Sequence, residues 1–202
     1  MSDVRRGSAA WWDERYAEAS MLWSFEPNRF VVEEATALPA GRALDLACGE
    51  GRNALWLAGR DWQVTAVDFS PVALDRARGL AAAANLDVEW VEADVLGYEP
   101  LVRGYDLVLL GYLQVPEPER QRALEVATTA TRPGGSLLVI GHDLRNLAEG
   151  TGGPQDPSLL WTPDEVRHPD FTVARADTAE RHVDGQVALD TVVRLVRLGG
   201  EV

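Results

Sequence analysis

Apolar positions along this chain recur in two periods, and the switch between them predicts its elements. Arg42 to Cys48, Gln63 to Asp68, Val88 to Val91, Asp106 to Leu110 and Ser136 to Ile140 are short apolar runs of strand length. Between them lie stretches with helical spacing. One runs from about Arg52 to Gly59. A second follows Ser70-Pro71, with Leu74, Ala77 and Ala81 on one face and Asn85 as its stop. Serine is a good cap and proline a good first helical residue. A third runs from Pro118 to Thr131 and ends at Arg132-Pro133-Gly134-Gly135. Strands alternating with helices point to a parallel sheet.

The end of the chain breaks this rhythm. Phe171 to Val183 and Gln186 to Leu198 are two long β-rich runs joined by Asp184-Gly185, a strong hairpin signal. The pattern therefore predicts an α/β fold: a Rossmann-like, seven-stranded, mostly parallel sheet with a C-terminal antiparallel hairpin and helices on both faces. The 202 residues suit one domain, 1–202. Residues 1–38 precede the first strand and hold Trp11, Trp12, Tyr16, Trp23, Phe25 and Phe30. They read as an N-terminal helical cap over the site, although the same aromatics can serve as ordinary core. Residues 39–202 read as the Rossmann-like core. Residues 142–161 are rich in Gly, Pro and Asp and form a second long segment of the kind that often covers a site.

Charge narrows the partners. The net charge is -13, and all 19 basic residues are scattered arginines. Such a surface repels phosphate backbones, so no nucleic-acid partner is expected. No stretch approaches the ~20 apolar residues of a membrane span. Residues 1–10 are polar and lack a signal-peptide core. Cys48 is the sole cysteine, so no internal disulfide forms. A cytoplasmic location without membrane contact is expected. His142, His168 and His182 are far apart, so no metal site is expected. Monomer and homodimer both remain open.

The chemistry concentrates at Asp45-Leu-Ala-Cys-Gly49-Glu-Gly51-Arg-Asn53, where the first strand ends. Gly49 and Gly51 let the backbone approach a ligand closely. With Ala54 they also fit the Gly-x-Gly-x-x-Ala form of dinucleotide sites. Three acids at strand ends change the balance. Asp45, inside the first strand, needs a positive partner if buried, and it would repel a pyrophosphate. Asp68 ends the second strand, where a carboxylate can accept both hydroxyls of a ribose. It could also merely cap the helix after Ser70. Asp94 follows the third strand and can accept from an adenine amino group, with the Val95 N–H donating to the ring and Phe69 and Leu96 flanking it. Asp94 could also be an ordinary turn residue, and Cys48 reads as a small packing residue.

The stretch Ala43 to Ala77, with Asp94-Val95 and Arg132-Pro-Gly-Gly135, resembles the class I S-adenosylmethionine (SAM)-dependent methyltransferases. Trp12-Asp-Glu-Arg-Tyr16, Glu26-Pro-Asn28 and Gly51-Arg52-Asn53 resemble the small tellurite-resistance and thiopurine S-methyltransferase-like branch. The resemblance implies methyl transfer from SAM to a small-molecule acceptor. It implies that Asp45 meets the amino group of the methionine part, and Asn28, Arg29 or Arg52 its carboxylate. The cofactor set it implies further includes Ala47, Cys48, Gly49, Glu50, Gly51, Asn53, Ser70 and Gly111. Relatives often carry a His-containing turn where this chain has Gly111-Tyr-Leu-Gln-Val-Pro116, so their substrates do not carry over.

A thiolate acceptor needs no base, whereas a hydroxyl or amine usually does. Tyr112, Gln114, His142 and Asp143 follow the fourth and fifth strands; His142 and Tyr112 are the catalytic candidates. His142 can instead be a structural histidine bonded to backbone. Trp23, Gln114 and Trp161 are the candidates for binding the acceptor. Three alternatives stand: a SAM-binding protein without methyl transfer, a protein-modifying methyltransferase, and a nicotinamide-dependent reductase. Against the last stand Asp45, the terminal hairpin and the absence of lysine from any Tyr-x-x-x-Lys pair.

Overall fold

The computed structural model describes residues 8–18, 25–183 and 185–199. They fall into two compact units, Met1–Glu99 and Pro100–Val202. The first contains α1 (Ala9–Glu18), α2 (Arg29–Ala35), β1 (Arg42–Leu46), α3 (Arg52–Ala58), β2 (Gln63–Asp68), α4 (Pro71–Ala84) and β3 (Val88–Glu92). Its strands are parallel, in the order β3-β2-β1. β1 and β2 are buried on both faces, as unbroken apolar runs in parallel sheets are. α3 packs on all three strands, α4 on β2 and β3, and α1 on α4.

α4 begins and ends as its sequence predicts. The Ser70 hydroxyl accepts from Ala73 N at 3.1 Å, Pro71 opens the helix, and Asn85 closes it in the left-handed region at φ 53°. Leu74, Ala77 and Ala81 are its buried face. Ser70→Ala is expected to cost about 1 kcal/mol, as cap removal does, read as a lower urea midpoint. β1 ends two residues before the predicted Cys48, because Ala47 turns left-handed at φ 57°.

The second unit contains β4 (Tyr105–Gly111), α5 (Glu117–Ala130), β5 (Thr131–His142), α6 (Asn146–Glu149), β6 (Phe171–Val183) and β7 (Gln186–Arg197). Its strand order is β4-β5-β7-β6. β4 and β5 are parallel, and β7 is antiparallel to both its neighbours. The seven strands are thus mostly parallel and finish in an antiparallel hairpin, as expected. Val183 pairs with Gln186 across the connection; Asp184 of the predicted turn lies outside the described residues, and Gly185 is left-handed at φ 78°. β5 is longer than the predicted Ser136–Ile140. Arg132-Pro-Gly-Gly135 does not precede it but forms an irregularity within it, between the Tyr105–Thr131 and Leu107–Ser136 pairs.

The segment between β5 and β6 is laced at its base. Trp161 N donates to His142 O at 2.9 Å and Leu144 N to Trp161 O at 2.8 Å. The Trp161 indole N–H reaches Leu113 O at 3.2 Å. Asn146 spans the inside, donating to Thr151 O at 3.2 Å and Gly152 O at 2.8 Å while accepting from Leu189 N at 2.8 Å. The buried Arg120 guanidinium donates to Ser158 O at 2.5 Å and Glu165 Oε1 at 2.9 Å. Buried donors and acceptors are thereby satisfied within one excursion of the chain.

Candidate functional site

The tips of β1, β2 and β3 stand side by side. Cys48 N donates to Val67 O at 3.0 Å, and Ala93 N to Asp68 O at 3.0 Å. Between Leu46 and Arg52 the chain makes a tight bend, with Gly49 at φ 56° and Gly51 at φ 80°. A Cβ on Gly51 would also stand 2.5 Å from the Trp90 ring, so glycine is required there on both counts. Ala54, the third small position, is fully buried against the sheet.

Asp68 holds this bend to β2. Its Oδ2 accepts from Gly49 N at 2.8 Å and its Oδ1 from Ser70 N at 2.9 Å. It sits at the tip of β2 and braces the start of α4. Burial raises its pKa, Asp13 adds to the rise, and the Ser70 and Gly49 N–H groups oppose it. The Ser70 hydroxyl donates to Asp13 of α1. Glu50 is buried in the bend and paired with Arg76 of α4 at 2.9 Å.

Asp45 is different. Its Oδ2 is buried and has no hydrogen-bond partner among the described residues. Burial, chiefly, and the nearby Asp68 push its pKa from an ordinary 3.8 to about 7, with Arg52 and the Ala54 N–H pulling it down. A carboxylate left so poorly compensated calls for a cationic or hydrogen-donating ligand. The amino group of a SAM methionine moiety fits that demand, and the bend supplies the close backbone approach such a ligand needs. The half-buried Cys48 thiol is pushed well up by burial, Asp68 and Asp45, which makes it a packing group and not a nucleophile.

The remaining predicted cofactor residues divide. Asp94 is exposed, and its Oδ1 accepts from Leu96 N at 2.9 Å; Val95 is buried, and Phe69 and Leu96 are half-buried. The Asn28 side-chain oxygen caps α2 by accepting from Phe30 N at 2.8 Å. Asn28 N donates to Asn53 Oδ1 at 2.9 Å, tying the entry of α2 to the glycine bend. Arg29 is exposed and lies over Phe30, while half-buried Arg52 stands within electrostatic reach of Asp45. Gly111 ends β4 opposite Ile140.

The second unit gathers its own polar cluster. Asp190 of β7 is completely buried. It accepts from Tyr112 OH at 2.8 Å and from Arg181 Nε at 2.6 Å, and His142 Nδ1 lies 3.3 Å from its Oδ1. Burial alone would raise the Asp190 pKa; the contact with His142 and the bonds from Arg181 and Tyr112 outweigh it and hold the carboxyl below its usual value. The Tyr112 and His142 rings are 4.9 Å apart. Tyr112 is left-handed at φ 54°, a strained conformation for a side chain of this size and of a kind found at functional sites.

Tyr112 and His142 are therefore brought together, whereas His142 and its neighbour Asp143 part company. Asp143 accepts from Thr178 at 2.8 Å, Thr191 at 2.7 Å and Arg145 N at 2.9 Å, a knot joining β5, β6 and β7. Trp161, a candidate for binding the acceptor, is 1% exposed, with its ring against Gly141, where a Cβ would stand 2.2 Å from Cδ1. Gln114 is half-buried after β4, and Trp23 lies outside the described residues. Sequence reasoning missed Asp190 and Arg181. The one signal for Asp190 was a lone acid inside the apolar run Ala188-Leu-Asp-Thr-Val-Val193.

Strand order and glycine bend are those of the Rossmann-like methyltransferase fold. The family described as Methyltransferase domain matches residues 43–135. The ubiquinone biosynthesis O-methyltransferase of Marinobacter nauticus is 26% identical over 136 residues, covering 65% of this chain and 57% of that one. The chain spans about half the length of the curated relatives it matches. Among solved structures, the protein described under conversion of a disulfide bond into a thioacetal group during echinomycin biosynthesis has a TM-score of 0.77 and 23% identity, covering 96% of this chain and 94% of its own. The 1,6-didemethyltoxoflavin-N1-methyltransferase of Burkholderia thailandensis, solved with bound 1,6-didemethyltoxoflavin and S-adenosylhomocysteine, has a TM-score of 0.71 and 19% identity, covering 94% of this chain and 87% of its own. At these identities the structures speak for the fold.

Proposed function

We propose that the protein transfers a methyl group from SAM to a small-molecule acceptor, releasing S-adenosylhomocysteine, with the whole chain acting as one catalytic domain. The observation that carries this reading is the buried, unpartnered Asp45 Oδ2 beside the glycine bend. When bound, SAM supplies a methyl group activated by its sulfonium, and the protein's task is binding and alignment. Asp45 receives the amino group and Arg52 the carboxylate of the methionine part. Asp68 takes the ribose hydroxyls through the lone pairs its backbone bonds leave free. Asp94 and Val95 meet the adenine, between Phe69 and Leu96. A nicotinamide dinucleotide would set its pyrophosphate against Asp45, which argues for the adenosyl sulfonium.

The acceptor is a small molecule, and His142, Tyr112 and Gln114 are the candidates to handle it. The acidic surface speaks against a nucleic-acid partner. Among the described residues no helix is long and apolar enough to cross a membrane, and no cluster of His, Cys, Asp and Glu could hold a metal. The single free cysteine suits a cytoplasmic location.

Calorimetric titration with SAM tests the reading. Saturable binding is expected, and its absence up to millimolar concentration overturns it. Asp68→Ala is expected to weaken that binding about tenfold or more, the worth of one or two hydrogen bonds to a charged group, in a chain that still folds by circular dichroism. Unchanged affinity would remove Asp68 from the ribose site.

A further inference from the structure

Asp190 lies on β7, far in sequence from every residue the methyltransferase reading uses, yet it is the centre of the polar cluster in its unit. A fully buried carboxylate is costly unless paired. Here the pairing is unequal. Arg181 neutralises its charge at 2.6 Å and Tyr112 OH satisfies a further lone pair at 2.8 Å. The contact with His142 is of another kind. Nδ1 of His142 is buried, 3.3 Å from Asp190 Oδ1, and has no aligned hydrogen-bond partner among the described residues. A small rotation of the ring would align the two. With Nδ1 turned inward, Nε2 is left on the outer edge of a side chain that keeps 13% exposure.

The surroundings restrict that ring. Tyr112 lies against it with ring centroids 4.9 Å apart, and Gly153 stands so near that a Cβ there would be 3.0 Å from its Cγ. A second buried carboxylate, Asp143, is one residue away, but its oxygens are spent on Thr178, Thr191 and Arg145 N. Asp190 is therefore the acceptor that sets which nitrogen of His142 carries the proton. A carboxylate bonded to Nδ1–H fixes the tautomer and the orientation of an imidazole and stabilises the imidazolium that forms when Nε2 takes up a proton.

We propose that Asp190 is a positioning residue that holds His142 as the Nδ1–H tautomer, leaving Nε2 as the proton acceptor for a hydroxyl or amine acceptor. This rests on the methyltransferase reading and narrows its substrate class. As the acceptor's lone pair forms the new bond to the methyl carbon, the methyl–sulfur bond breaks with its pair going to sulfur. The proton of the acceptor's O–H or N–H passes to Nε2 and afterwards to water. A thiolate would need none of this apparatus.

The test is long-range proton–nitrogen NMR of the full chain. Its three histidines are His142, His168 and His182, and the signals lost in His142→Gln identify the first. Wild-type His142 in its neutral form is expected as the Nδ1–H tautomer, and Asp190→Ala is expected to shift it toward Nε2–H. Should Asp190→Ala fail to fold, the wild-type spectrum alone decides; a wild-type Nε2–H tautomer overturns the proposal. The substrate class is read separately, as S-adenosylhomocysteine release with SAM and a panel of phenols, alcohols, amines and thiols. Turnover of a hydroxyl or amine compound is expected, with kcat about 100-fold lower in His142→Gln, as for loss of a general base, and KM little changed. Turnover of thiols alone, or none by a protein that binds SAM, overturns the class. Failure of calorimetric SAM binding would instead sink the methyltransferase reading and leave the tautomer result standing.

Discussion

Replacing Asp45 by Asn is expected to make the ligand-free protein more stable above pH 7 while removing most of its affinity for SAM. The carboxyl sits 2% exposed with one oxygen unpartnered, and its pKa rises from 3.8 to about 7. A group whose folded pKa exceeds its unfolded value favours the folded state only while protonated. The stability it allows is fully present below pH 3.8 and is lost as pH rises toward about 7. The difference amounts to at most about 4 kcal/mol at pH 8. Thermal melts of the wild type between pH 5 and pH 8, roughly the span over which this carboxyl loses its proton, should show the loss. The Asn variant should lack that component. Its affinity for SAM should fall about 100-fold or more, the worth of a charge-assisted bond in a buried site. An Asn variant with wild-type affinity, or with no gain in stability at pH 8, would refute the role given to Asp45.

Trp161→Ala should give the largest loss of stability, about 3–5 kcal/mol by the usual scale for large aromatic truncations. The ring is 1% exposed, packs on Gly141 and lies beneath the Arg120 guanidinium, whose centre is 5.2 Å from the ring centroid. Its removal opens a cavity and leaves Leu113 O without its indole donor. The same residue closes the base of residues 144–160, so the variant should also become sensitive to proteolysis there. Urea unfolding and limited digestion measure the two effects. A loss below about 1 kcal/mol would show that the site collapses without penalty.

Most of the first unit was legible because local and global signals agree there. Ser70-Pro71 and Asn85 bracket α4 where the sequence puts them, and Asp45, the glycine bend, Asp68 and Asp94 do fall at neighbouring strand ends. Where the reading slipped, long-range contacts decided. Arg132-Pro-Gly-Gly135 reads as a stop, yet it is absorbed within β5 because Thr131 pairs with Tyr105. The Asn28 side-chain oxygen caps α2, a role not read from the sequence. Trp161, a candidate for binding the acceptor at the end of a Gly- and Pro-rich stretch, is core. Asp190 could not be singled out from its spacing. What makes it chemical is the company of Tyr112, His142 and Arg181, which lie 78, 48 and 9 positions away.

The place where the chain leaves β5 is also the place to which it returns. Asp143 and Trp161 bridge in parallel, and two backbone bonds clip entry to exit. The span between them is thus a cassette with adjacent sockets. Lengthening or replacing it adds little closure entropy and leaves the strand ladder untouched, provided Asn146 and the contact of Ser158 with Arg120 are retained. The corresponding span of a relative could be grafted between these fixed sockets, and natural divergence of the segment could proceed, without rebuilding the sheet.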